Sequence, residues 1–219
     1  MVKIPFLKSK HHITSLPTLV WIICIGSLLC RAGIYSVLPM FAITLSKARD
    51  VTLNSSGVIV ACIFIAQMMG GFLTIPAINR FNSKILLLSV SFGYGLSFIL
   101  MKISIDYIAN IYTLIFTMCL IGIANGVLSS IIDSLSQIII SKLAGNYTVT
   151  AFSLRYTLIN VGASLGPYLA LRVGGDNINT ALSLTSSYVL LFPLLLLFVK
   201  IEQVKPEAKT NLVDGIKHL

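Results

Sequence analysis

The chain predicts an all-α membrane protein with six transmembrane helices arranged as a 3+3 inverted repeat. Composition, the spacing of charge and a repeated Gly–Pro pattern carry that prediction. Of 219 residues, 56% are hydrophobic and 11% charged, and the mean hydropathy is +0.93, well outside the range of a water-soluble domain. The charges leave gaps long enough to cross a bilayer, which excludes a soluble enzyme, a DNA-binding module and a secreted disulfide scaffold. Lys and Arg total 16 against 7 Asp and Glu, a net charge of +9. In a membrane chain such an excess reports topology, because Lys and Arg collect on the cytoplasmic side; no nucleic-acid partner is implied. Cys24, Cys30, Cys62 and Cys119 lie in apolar runs without ligand-like spacing and read as small apolar fillers.

The elements follow in order. Residues 1–17 form a basic tail with Lys3, Lys8 and Lys10, and the apolar run after it is too long for a signal peptide and lacks a cleavage site. About 20 helical residues cross a hydrocarbon core of about 30 Å. Six stretches meet that need, at 18–42, 56–78, 84–101, 108–137, 148–171 and 181–199, so residues 18–199 form the membrane domain. Barrel strands would instead alternate apolar and polar residues. Residues 200–219 turn polar and charged. With the N-terminus inside, eleven Lys and Arg fall on the cytoplasmic side and four outside, which places both termini in the cytoplasm of a cell (plasma or inner) membrane protein. The second span of each three-helix unit carries Gly-x4-Pro, as Gly71…Pro76 and Gly162…Pro167, the pattern of an inverted repeat.

Three segments carry a family likeness. The loop between the second and third spans reads Ile75-Pro-Ala-Ile-Asn79-Arg80-Phe81-Asn82-Ser83-Lys84, the fourth span holds Met118-Cys-Leu-Ile-Gly122-Ile-Ala-Asn-Gly126, and the fifth holds Gly162-Ala-Ser-Leu-Gly166-Pro167. Together they resemble the N-terminal six-helix half of a major facilitator superfamily transporter, nearest to the drug-efflux branch. Arg80 and Lys84 match the family's basic loop, while Asn79 stands for its aspartate and Met118 for the arginine of its fourth helix. The resemblance implies half of a twelve-helix fold whose two halves enclose the substrate and rock between two states. Residues 200–219 then resemble the start of the central linker. It also implies a secondary transporter of a small molecule, with drug-like efflux preferred, completed by a second six-helix half or another copy. The alternatives are a non-transporting remnant of a split or truncated gene and a homodimeric uptake transporter for a sugar, amino acid or peptide. Gly-x3-Gly brings helices into close contact where lipid offers no hydrophobic drive, and Pro167 bends its helix. Gly122, Gly126, Gly162, Gly166, Pro167, Arg80 and Lys84 are therefore the gating or packing candidates.

Polar groups inside the spans supply the candidate site. Ser27, Arg31 and Tyr35 recur every four residues on one helix face, and a charge at the depth of Arg31 needs water or a partner. Asp133 is the one acidic residue within a span, and with Ser129, Ser130, Ser136 and Gln137 it forms a polar stripe. Arg31, Ser27, Tyr35, Asp133, Ser129 and Ser130 are the substrate-binding or coupling candidates. Estimated depths differ by about 10 Å on the helical rise, which argues against an Arg31–Asp133 pair. Arg155 reads as snorkelling to the interface. No nucleophile with a base, phosphate loop or metal-ligand spacing occurs, and His11 and His12 sit in the solvated tail. Neither an enzyme nor a cofactor is expected.

Overall fold

Every regular element among the described residues, 16–174 and 177–199 of the computed structural model, is helical. The helices are α1 (Thr18–Val37), α2 (Phe41–Arg49), α3 (Leu53–Arg80), α4 (Ser83–Tyr107), α5 (Ile111–Leu143), α6 (Thr148–Gly174) and α7 (Ile178–Leu197). The two tails, with His11, His12 and the linker-like end of the chain, lie outside the described residues except for Leu16 and Pro17. Pro39 sits in a short 3-10 turn, Leu38–Met40, that separates α1 from α2. From α2, the Arg49 guanidinium donates to the carbonyls of Ile105 and Ile108 where α4 ends, groups that a helix leaves without an internal partner.

The helices do not keep to the apolar stretches that announce them, and polar side chains cap four of their N-termini. Thr52 accepts from the Ser55 amide, Asn82 from the Lys84 amide at 2.9 Å, Asn110 from the amides of Tyr112 and Thr113, and Asn177 from those of Asn179 and Thr180. Each satisfies orphan amides at an N-terminus. The third expected span, 84–101, grows to Ser83–Tyr107 and the fourth, 108–137, shifts to Ile111–Leu143.

Among the described residues, five helical segments are long and apolar enough to cross a membrane: Thr18–Arg49, Leu53–Arg80, Ser83–Tyr107, Ile111–Leu143 and Ile178–Leu197. The fifth expected span, α6, has the length at 27 residues but carries too many polar side chains. Ser153, Thr157, Asn160 and Ser164 follow one another along one exposed face of it. The hydroxyls of Thr157 and Ser164 bond back to carbonyls of the same helix.

Lipid tails are as apolar as the side chains they would replace, so helices in a membrane associate by close packing. Two pairs do so through glycine: α1 lies on α6, and α3 on α5. A side chain at Gly162 would collide with the Leu28 carbonyl and one at Gly166 with the Ala32 carbonyl. On the other pair, a Cβ at Gly126 would overlap the Ile63 carbonyl and one at Gly70 would come within 2.9 Å of the Val127 Cα. The tight glycine of α3 is thus Gly70, while Gly71, the partner expected for Gly162, has Ser130 Oγ no nearer than 3.6 Å. The next most extensive contacts join α4 to α7, α1 to α7 and α4 to α5. Thr185 of α7 donates to the Gly33 carbonyl of α1 at 2.8 Å, and Asn125 of α5 donates to Ser97 of α4 at 2.7 Å.

The colliding atoms at Gly126 and Gly162 are backbone, so no rotamer change relieves a larger residue there. Gly126→Leu and Gly162→Leu should each cost about 1–3 kcal/mol or more, seen as a lowered thermal midpoint or loss of the monodisperse peak in fluorescence-detected size exclusion. Gly57 has open space around it, and Gly57→Ala should leave both readouts unchanged.

Candidate functional site

One carboxylate and two guanidinium groups meet where α1, α5 and α6 face one another. Asp133 of α5 accepts from Arg31 Nη2 of α1 through Oδ2 and from Arg155 Nη2 of α6 through Oδ1 at 2.8 Å. Arg155 Nε donates to Ser27 Oγ at 3.1 Å, and Ser27 in turn donates to the Ile23 carbonyl at 2.9 Å. Every link is charge-assisted or continues one that is, the stronger kind of hydrogen bond.

The cluster is open on one side. The Arg155 side chain is only 2% exposed, whereas Arg31 and Asp133 are 23% and 24% exposed. A small cleft beside them is lined by Cys30, Arg31, Tyr94, Ser129, Ile132 and Asp133.

The Arg31–Asp133 pair corrects the sequence expectation, and the reason lies in where α5 ends. The helix continues to Leu143, which puts Asp133 about 15 Å from that end instead of the shorter distance implied by a span stopping at 137. Arg31 is about 20 Å from the start of α1, and a side chain as long as arginine closes the difference. Arg155 also departs from its expected place. It is buried in the bundle and does not reach toward an interface, so the expected excess of basic residues on one side falls from eleven to ten against four. A signal for it was present: within the spans one acid accompanies two arginines, and charge balance in a low-dielectric medium ties all three together.

The other candidates divide. Ser27 and Ser129 lie at the cluster. Tyr35, 40% exposed, lines a separate cleft with Pro39, Pro167, Leu171 and Asn177. Ser130 is buried against α3, beside Gly70 and Gly71, and Ser136 is buried with its hydroxyl unpaired among the described residues. Gln137 is exposed. Gly122, Gly126, Gly162 and Gly166 are in the two close helix crossings, and Met118 is fully buried in the core. Arg80 is exposed where α3 meets α4 and Lys84 half-buried, with no ion pair to either among the described residues.

Among the described residues, five helical segments apolar enough to cross a membrane, with a half-open charged cluster within the bundle, fit a multi-pass membrane protein. The family model described as Major Facilitator Superfamily matches residues 23–218, and the chain belongs to that superfamily of transporters. No curated protein matches the chain, and no solved structure does.

The two arginines should respond differently to removal. Arg155→Gln strips the sealed partner from Asp133 and the donor from Ser27, and should cost about 3 kcal/mol, measured as a fall in thermal midpoint in detergent. Arg31→Gln leaves the buried Asp133–Arg155 pair intact and should cost less than about 1 kcal/mol.

Proposed function

We propose that this chain is the substrate-handling unit of a secondary active transporter that moves a small molecule by alternating access. The observation that carries the reading is the Arg31–Asp133–Arg155 cluster, held at depth yet open on one side. Ionisable side chains in a membrane interior are costly and are kept where they face water, a substrate or a coupling ion. Arg31, Asp133, Ser27 and Ser129 take the substrate-binding or coupling roles. Tyr35 belongs to a second contact region near Pro167, and Ser130 to the packing of α5 on α3.

Several features support the finer parts of this reading. Exchanging the unit α1, α3, α4 with the unit α5, α6, α7 maps the α1–α6 contact onto α5–α3 and the α1–α7 contact onto α5–α4, a pattern that fits a 3+3 inverted repeat. The exposed polar stripe of α6, which also lines a shallow groove through Thr157, Asn160 and Ser164, suits a face that meets water or a second six-helix unit. That unit is supplied either by the same polypeptide or by a separate copy. Export of a drug-like compound is favoured by Gly162, Gly166 and Pro167, a glycine-packed, proline-bearing element that can pivot on α1. Gly122 and Gly126 provide the matching contact on α3, and Arg80 and Lys84 flank the turn where α3 and α4 would slide. The distribution of basic residues supports a cell membrane location with both termini in the cytoplasm.

Everted vesicles test the proposal. The wild-type chain should move at least one compound of a drug-like panel faster than vesicles lacking it, with a rate that depends on an imposed pH gradient. Arg31→Ala should slow that movement more than about tenfold, the loss of one contact of about 1.4 kcal/mol. Equal rates for both chains would misplace the site, and no movement by either would favour the non-transporting remnant.

A further inference from the structure

We propose, resting on the transporter reading above, that the substrate is a small organic anion whose carboxylate or phosphate group is received by Arg31. The charge at the cluster is the first ground. Two guanidinium groups share one carboxylate, and the other acidic residues among those described, Asp50 and Asp106, stand at the far ends of α2 and α4. A net positive charge is therefore left at a depth where unbalanced charge is unfavourable, and an incoming anion neutralises it.

The second ground is which donors are used. Arg155 is sealed, with Nη2 on Asp133 and Nε on Ser27, so it holds the carboxylate in place and has no surface to offer. Arg31 spends only Nη2 on Asp133; among the described residues its Nε and Nη1 donate to nothing, on a side chain that keeps about a quarter of its surface open. A guanidinium with donors to spare presents a planar fork matched to carboxylate and phosphate oxygens. The cleft beside it is also lined by Ser129 and Tyr94, whose side chains are hydrogen-bonded to each other. A cationic substrate would instead meet a carboxylate already occupied on both oxygens by arginine.

The anion can come from solution or from a lipid headgroup, and the experiment separates them. The full chain is placed in phosphatidylcholine nanodiscs, and its thermal midpoint is followed while benzoate, phenyl phosphate, benzamide or benzylamine is titrated. Benzoate or phenyl phosphate should raise the midpoint, and benzamide and benzylamine should not. Arg31→Gln, which keeps the Asp133–Arg155 pair, should weaken the anion response more than about tenfold, and Arg31→Lys, which keeps the charge and loses the fork, should fall between. The Lys variant alone decides the matter if the Gln variant fails to fold. Binding by benzylamine, absence of binding by both anions, or an anion response unaltered in the variants overturns the inference. So does stabilisation that appears only when phosphatidylglycerol is added to the discs, since the headgroup is then the ligand. Transport is scored separately in proteoliposomes. Arg31-dependent anion binding without movement overturns the transporter reading and leaves the anion site standing; movement of cations alone does the reverse.

Discussion

A carboxylate shared between two guanidinium groups inside a bundle of apolar helices is the constraint around which this structure is arranged. Asp133 binds α5 to both α1 and α6, and a charge held among apolar helices stays there only if it is paired and hydrogen-bonded. That requirement fixes the rotation of three helices at once, since Arg31, Asp133 and Arg155 must all turn toward the same point. The fourth member, Ser27, extends the network one turn along α1. Asymmetric exposure then separates the roles: the sealed arginine anchors, and the open one is left to interact.

Close backbone contact makes that meeting possible. α1 and α6 approach through Gly162 and Gly166, and Ser36 Oγ lies 2.9 Å from the Gly166 carbonyl. α5 reaches α3 through Gly122, Gly126 and Gly70. With side chains absent at these points, dispersion forces act between backbones over much of each crossing. The charged cluster lies between the two crossings, so the positions of its members are inherited from helix packing that is itself apolar. Interactions of opposite character thereby fix one geometry.

The helical class and the membrane were legible because long apolar runs admit few other readings, and the Gly-x3-Gly segments announced close crossings at the right places. The ends of helices were not, because hydropathy is silent about the Asn82, Asn110 and Asn177 caps that set where α4, α5 and α7 begin, and it did not mark that α5 runs past Gln137 to Leu143. That error propagated: an α5 that stops early sets Asp133 too shallow and hides its pairing with Arg31. Arg155 was missed for a different reason. Its distance from the helix start suits snorkelling equally well, and only the neighbouring helix decides between an aqueous and a buried destination. Tyr35 shares its helix face with Arg31 but lies one turn further along α1, and the two line different clefts.

The modest apolarity of α6 bears on how the protein is made. A segment with Arg155 near its first turns and a row of hydroxyl and amide groups gains little from lipid alone, yet its buried side is complementary to α1, which is synthesised well over a hundred residues earlier. The contact with α1 therefore supplies what lipid does not, and this late helix keeps its place by leaning on the first one.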